Sequence, residues 1–325
     1  MARIAVVTSS FPERPGDAAG HFVQAEVNHL AKAGHNVTVV APGQSDSQAN
    51  AYTVAWLGRI AAFGWPGLAT RLKSDPRRIF GIFSFAWRAQ QKLTQLGPWD
   101  RIIFHWLFPA GALLPFTMSE KPEIVGHGTD VELLLRLPSM FGGAYLEMLK
   151  RNRCTLRLVS EAQRERIEHR FRKHELPEIY VKPCALALDA AGKAETRACL
   201  ELSQARPLIA IVARLVPEKR VEMALRAVSP VPGAQVVVAG EGPLLEPLSS
   251  HFPNVRFVGQ LPRPLALGLI SVADVLVHPS EHEGASSVVR EARALGTPVV
   301  AADSGDLRAL SRKDPGLIVL SERRR

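Results

Sequence analysis

The chain has 325 residues, 46% of them hydrophobic, with a formal net charge of +9 and a pI near 9.8. That length supports two ordinary domains, and the charge points to an anionic partner: nucleic acid, a phosphorylated small molecule or an acidic membrane surface. Three cysteines, Cys154, Cys184 and Cys199, include no C-x-x-C pair. A disulfide framework or a zinc site is therefore not expected, and a reduced cytoplasmic compartment is.

The opening "RIAVVT" (Arg3–Thr8) reads as a strand. The apolar run there is too short for the core of a signal peptide, and no 18-residue apolar stretch predicts a membrane span. "AEVNHLAKAG" (Ala25–Gly34) reads as a helix closed by a glycine, and "NVTVVAP" as the next strand. Residues Tyr52–Lys92 hold three tryptophans, four phenylalanines, seven Lys or Arg and one acid. Interleaved aromatics and cations suit a membrane interface, and equally an inserted region packed on its own domain.

Strands follow at Arg101–His105, Glu123–His127 and Thr155–Ser160. The stretch "YVKPCALALDAAGKAETRACLELSQARP" has no strong period and reads as linker. The pattern then restarts at Arg206 as strand, loop and helix, and "AQVVVAGEGP", "NVRFVGQ", "ADVLVHPS" and "TPVVAAD" supply further strands. Strands apolar on both faces, alternating with helices, predict parallel sheets covered on both sides. Two doubly wound α/β domains are expected, residues 1–185 and 186–325, with a cleft between them. In such folds ligands sit beyond the carboxyl ends of the strands, so the loops after each strand carry the candidate site.

"HPSEHEGASSVVREARALGTPVV" (His278–Val300) places Glu283 in a strand-to-helix loop. Gly284, Ala285, Ser286 and Ser287 follow it. The glycine permits close backbone approach, Ser286 or Ser287 can cap the helix, and the first-turn N–H groups favour phosphate or sugar oxygens. Glu291 lies about one turn into the helix, where a carboxylate can accept both hydroxyls of a ribose. G-x-G-x-x-G is absent after the first strand, which argues against a nicotinamide enzyme.

The long pattern H-P-S-x-x-E-G…E-A-x-A-x-G-x-P-V-V-A strongly resembles the nucleotide-sugar motif of retaining GT-B glycosyltransferases of family 4, the group 1 transferases. "VARLVPEK" resembles the family's G-R-L-x-x-x-K segment, which implies a diphosphate-binding pair in Arg214 and Lys219. "AGEGPL" matches a glycine loop at Gly240 and Gly242, and "FVGQLPR" a segment near the nucleobase, with Val258 and Leu261. "GHGTDV" resembles a loop whose histidine, here His127, faces the transferred sugar. Asp130 orients that loop or caps the next helix. "SSFPERPGDAAGHFV" resembles the family's first loop, with Gly20 near donor phosphate or acceptor. "HWLFPAG" and "SEAQRERI" are also similar, and His105 becomes a candidate to line the cleft.

The resemblance implies two Rossmann-like domains and transfer of a hexose from a UDP- or GDP-sugar to a hydroxyl acceptor, with retention and without a metal. Breaking the sugar–diphosphate bond develops negative charge that preorganised cations stabilise by several kcal/mol. The implied catalytic set is His127, Arg214, Lys219 and Glu283. No cofactor, no metal and no nucleic acid is expected. The expected partners are the donor, a lipid-linked or saccharide acceptor and an anionic membrane surface, with the protein cytoplasmic and peripheral on the inner membrane face.

Some residues depart from the pattern. Ala285 and Ser286 replace the spacing of E-G-x-G, Ser304–Asp306 replaces a G-G pair, and "KPCALALD" keeps only Asp189 of an N-G-V-D turn. The C-terminal part is shorter than the family implies and lacks its crossover helices. A non-catalytic GT-B subunit, or a nucleotide-sugar epimerase or hydrolase of the same fold, is therefore the alternative reading.

Overall fold

The computed structural model describes residues 1–321 apart from 15, 18, 45–50, 65–67 and 117–120. It divides into two compact units, Met1–Ala185 and Leu186–Arg325.

The first unit holds a parallel sheet of seven strands among the described residues: β1 (Arg3–Val7), β2 (Asn36–Ala41), β3 (Thr53–Trp56), β4 (Arg101–His105), β5 (Lys121–Gly126), β6 (Thr155–Leu158) and β7 (Ile179–Val181). Their order is β3-β2-β1-β4-β5-β6-β7. Alternate residues of β1, β4, β5 and β6, among them Ala5, Ile102, Phe104, Ile124 and Leu156, face one core cluster. Phe85, Ala89 and Leu93 of the helix Ile79–Leu96 pack there. So do Leu146 and Leu149 of the helix Ser139–Arg151, on the same sheet face. The two-residue alternation of a strand explains this sorting.

The second unit repeats the plan with β8 (Leu208–Val212), β9 (Gln235–Ala239), β10 (Arg256–Phe257), β11 (Val275–His278), β12 (Val299–Ala302) and β13 (Leu317–Leu320). All pairings are parallel, in the order β10-β9-β8-β11-β12-β13. Its two core clusters lie on opposite sheet faces. Leu208 and Ala210 belong to one, and Ile209 and Ile211 to the other.

Strand order reverses between β1 and β4 in the first sheet and between β8 and β11 in the second. Chain connections leave in opposite directions at such points and open a crevice at the carboxyl ends. The loops after β1, β4, β8 and β11 therefore hold the positions best placed to meet a ligand.

The first helix spans His21–Lys32 and so begins four residues before its apolar pattern does. The stretch from Tyr180 to Pro207 is more ordered than its composition suggests. It completes β7 and forms the helix Lys193–Cys199, whose Thr196 is fully buried. Short elements of this kind carry too few residues to show a period.

Candidate functional site

At the switch point of the second sheet, the loop after β8 and the loop after β11 bring Lys219 and Glu283 together. Lys219 Nζ lies 2.5 Å from Glu283 Oε1. His278, the last residue of β11, places Nε2 3.1 Å from the same oxygen and 3.2 Å from Ser286 Oγ. The Glu281 N–H donates to Glu218 O at 3.1 Å and ties the two loops at the backbone. Burial pushes the Glu283 carboxyl up, but the His278 hydrogen bond and the Lys219 charge more than reverse it. The carboxyl is held well below the usual carboxylate range.

Ser286 occupies the cap position of the helix Ser287–Ala294, yet its hydroxyl turns to His278 and makes no cap bond. The expected role of the serine as a side-chain cap is thus replaced by one that braces His278. The first turn of this helix has no side-chain cap and no acidic residue, which suits an anion. Gly284 is buried and Ala285 and Ser287 are half-buried beside it. Gly305, at φ 54°, comes so close that a Cβ there would stand 2.5 Å from Gly284 O. The single glycine left in the departing S-G-D segment is the one the backbone requires.

Arg214 is exposed on the loop after β8. Gly240 and Gly242 set that loop. They adopt φ 141° and 154°, and a Cβ on either would meet the carbonyl oxygens of Ala213 (1.8 Å) and Leu215 (2.3 Å). Their close approach is to the chain's own backbone, which fixes the Arg214 loop. Val258 and Leu261 are partly buried against the core. Glu291 is 1% exposed and receives two contacts from Arg263, Nη2 to Oε1 at 2.5 Å and Nη1 to Oε2 at 3.0 Å. The second contact is a hydrogen bond and the first a close ion pair. Arg263 belongs to the "FVGQLPR" segment, but its pairing with Glu291 carries no sequence signal across 28 positions.

In the first unit, His127 follows β5, with Nε2 3.0 Å from Nδ1 of His105. His105 is fully buried at the end of β4, so it stands behind His127 and lines no surface itself. A central strand end leaves no room for exposure. Burial, and then the field of Arg157, lowers the His105 pKa well below the usual range. Burial, His105 and Arg157 do the same for His127, so both rings are neutral. Asp130 accepts from the N–H groups of Leu107 (2.9 Å), Gly128 (2.9 Å) and His127 (3.1 Å), and Gln163 Nε2 donates to His127 O at 3.0 Å. Asp130 therefore organises the His127 loop.

Gly20 enters the first helix at φ 72°, and its close neighbour is Ser10 O, 2.4 Å from where a Cβ would sit. Sequence reasoning missed Trp106. It holds φ 74°, a region costly for a bulky side chain, and its ring lies 5.0 Å from His127 and 5.8 Å from Phe22. It also missed Arg157. This buried residue of β6 reaches Glu26 Oε1 at 2.5 Å and Glu123 Oε1 at 3.3 Å beneath the histidines.

Residues 192–319 match the family described as "Glycosyl transferases group 1". The second domain is a group 1 glycosyltransferase domain. Similarity extends further along the chain. A GDP-mannose-dependent alpha-mannosyltransferase of Mycolicibacterium smegmatis is 26% identical over 95% of this chain and 81% of its own length. The putative teichuronic acid biosynthesis glycosyltransferase TuaC of Bacillus subtilis is 25% identical over 98% of this chain and 85% of its own. The sucrose-phosphate synthase of Thermosynechococcus elongatus superposes with a TM-score of 0.76 at 20% identity, covering 99% of this chain and 86% of that one. The chain thus has the GT-B fold, two parallel-sheet α/β domains.

Proposed function

We propose that this glycosyltransferase moves a hexose from a nucleoside-diphosphate sugar to a hydroxyl acceptor, with retention at the anomeric carbon and without a metal ion. One observation carries the reading: the Lys219–Glu283–His278 cluster stands at a topological switch point beside an uncapped helix N-terminus. Lys219, Arg214 and the first-turn N–H groups suit a departing diphosphate, whose charge grows as the bond breaks. A carboxyl held ionised is a poor proton donor. Glu283 instead binds sugar hydroxyls or steadies positive charge at the anomeric carbon. The leaving diphosphate itself accepts the acceptor proton on the same face, so no protein nucleophile is needed. Neutral His127 offers the sugar a hydrogen bond without adding charge.

The M. smegmatis relative is named as GDP-mannose-dependent, which makes GDP-mannose the first donor to test. The acceptor is lipid-linked or saccharide, and the first domain carries a feature that favours the lipid. On the helix Ile79–Leu96, Ile79, Phe80, Phe83 and Trp87 are 48%, 72%, 67% and 63% exposed, and from the adjacent pair Ile79 and Phe80 the stripe continues in steps of three to four residues through Phe83 and Trp87. Arg77 and Arg78 precede it directly. An apolar stripe headed by cations fits an anionic bilayer surface, at the cytoplasmic face. Two other cations of this region are used internally: Arg71 donates to Ala61 O and Arg88 to Leu57 O. Trp65 lies outside the described residues, as does the Lys73 side chain. No described helix is long and apolar enough to cross a membrane.

The test is turnover on a panel of UDP- and GDP-sugars with saccharide and lipid-linked acceptors, in chelator. Transfer with retained configuration supports the reading. Hydrolysis or epimerisation alone, or silence with every donor, overturns it in favour of the alternatives.

A further inference from the structure

Three residues that lie far apart in the sequence meet in the first domain. His105 ends β4, His127 follows β5 and Cys184 follows β7. Each offers a ligand atom, and these atoms all lie within 4.8 Å of one another. The His105 Nδ1 to His127 Nε2 distance is 3.0 Å, and Cys184 Sγ stands 3.9 Å from His127 Nδ1. His105 and Cys184 are buried and His127 is half-buried. Zinc bonds of about 2.0–2.1 Å to nitrogen and about 2.3 Å to sulfur place such ligands roughly 3.3–3.6 Å apart. His127 serves a cation through only one of its two nitrogens, so reaching that value from atoms no more than 4.8 Å apart takes a rotation of side chains.

Two further observations point the same way. The buried Nε2 of His105 has no hydrogen-bond partner among the described residues, so one nitrogen of this ring is left unsatisfied and available to a cation. The nearby Arg157 is matched by Glu26 and Glu123, so its charge does not stand unopposed against a bound cation.

We propose that His105, His127 and Cys184 form a binding site for a thiophilic divalent cation of the zinc class, and that its occupancy inhibits the protein by engaging His127. Two nitrogens and one sulfur leave a fourth, open position for water. Metal binding releases the Cys184 proton to solvent, and no bond to carbon changes. The binding half of the inference stands on geometry alone; the inhibition half rests on the role given to His127 above.

The closing experiment uses the full chain. Titration with Co²⁺ is expected to produce thiolate-to-metal charge-transfer absorption saturating at one equivalent, reversed by added Zn²⁺. Cys184→Ser is expected to abolish that band, with Zn²⁺ affinity lowered by more than about 100-fold, beyond the loss of a supporting group. Cys199→Ser, which changes an exposed thiol, retains it. His105→Ala weakens binding too, and its circular dichroism shows whether the buried site still folds. No charge-transfer band in the wild type, or an unchanged band in Cys184→Ser, overturns the site. With any donor that turns over, Zn²⁺ is expected to inhibit the wild type at least about 100 times more strongly than Cys184→Ser. Equal inhibition of both overturns the regulatory role. A protein that binds Co²⁺ through Cys184 but turns over no donor keeps the site and removes the proposed function instead.

Discussion

Lys219 and Glu283 are 64 positions apart in the chain and 2.5 Å apart in the fold. Lys219 helps hold the Glu283 carboxyl ionised where a sugar diphosphate is proposed to bind. Lys219→Ala and Arg214→Ala are each expected to lower kcat more than they raise KM, because the charge they meet grows in the transition state. Steady-state kinetics with the active donor checks this. A change confined to KM assigns both residues to uniform binding.

The same pair makes stability depend on pH. The Glu283 carboxyl is lowered in the folded chain, so the unfolded chain binds its proton first as pH falls. Its contribution is complete above the unfolded value, about 4.3, and is lost progressively below it. Urea unfolding at pH 6 and at pH 3.5 is expected to show the stability gap between wild type and Glu283→Gln shrinking at the lower pH. A constant gap removes the ion pair as its cause.

Arg263 clamps Glu291 in a nearly dry pocket. Glu291→Ala leaves a half-buried guanidinium without its partner and is expected to cost about 3–5 kcal/mol of stability. If the carboxylate also holds a ribose, nucleotide affinity falls by about 1.5–3 kcal/mol. Calorimetry with UDP and GDP, run at a temperature where the variant is folded, separates the two effects. Unchanged affinity places Glu291 in a purely structural role.

Arg157 is 4% exposed between Glu26 and Glu123. Arg157→Met strands the buried Glu26 carboxylate, while Glu123 keeps Arg101 and Tyr180, and is expected to destabilise the first domain by about 3–5 kcal/mol. Adding Glu26→Gln recovers part of that loss in chemical denaturation. No recovery means that the two side chains act independently.

The exposed stripe of the helix Ile79–Leu96 predicts sedimentation with vesicles containing anionic lipid, weakened by salt. A Phe80→Ser, Phe83→Ser and Trp87→Ser variant is expected to lose it, and Arg77→Ala with Arg78→Ala to weaken it. Absence of sedimentation at low salt makes the acceptor a soluble saccharide.

The alternation of apolar strands with helices was enough to determine two parallel α/β domains, because strand and helix periods are local properties of the chain. The motif around Glu283, with Arg214 and Lys219, was legible for a related reason. Its loops follow strand ends, where short segments keep their residue types close together. The edge strands β3, β7 and β13 lay outside that reading, since three or four residues show no period. What the residues do to one another was decided only by the tertiary structure. The sequence placed Glu291 near a ribose, while the fold gave it Arg263 as a partner. It offered His105 as a lining residue, and the end of a central strand buried it. It set Cys184 in a linker, and sheet order carried it to two histidines. Partnerships of this kind depend on strand order and register, and these are settled by packing the whole core rather than by any stretch of the chain.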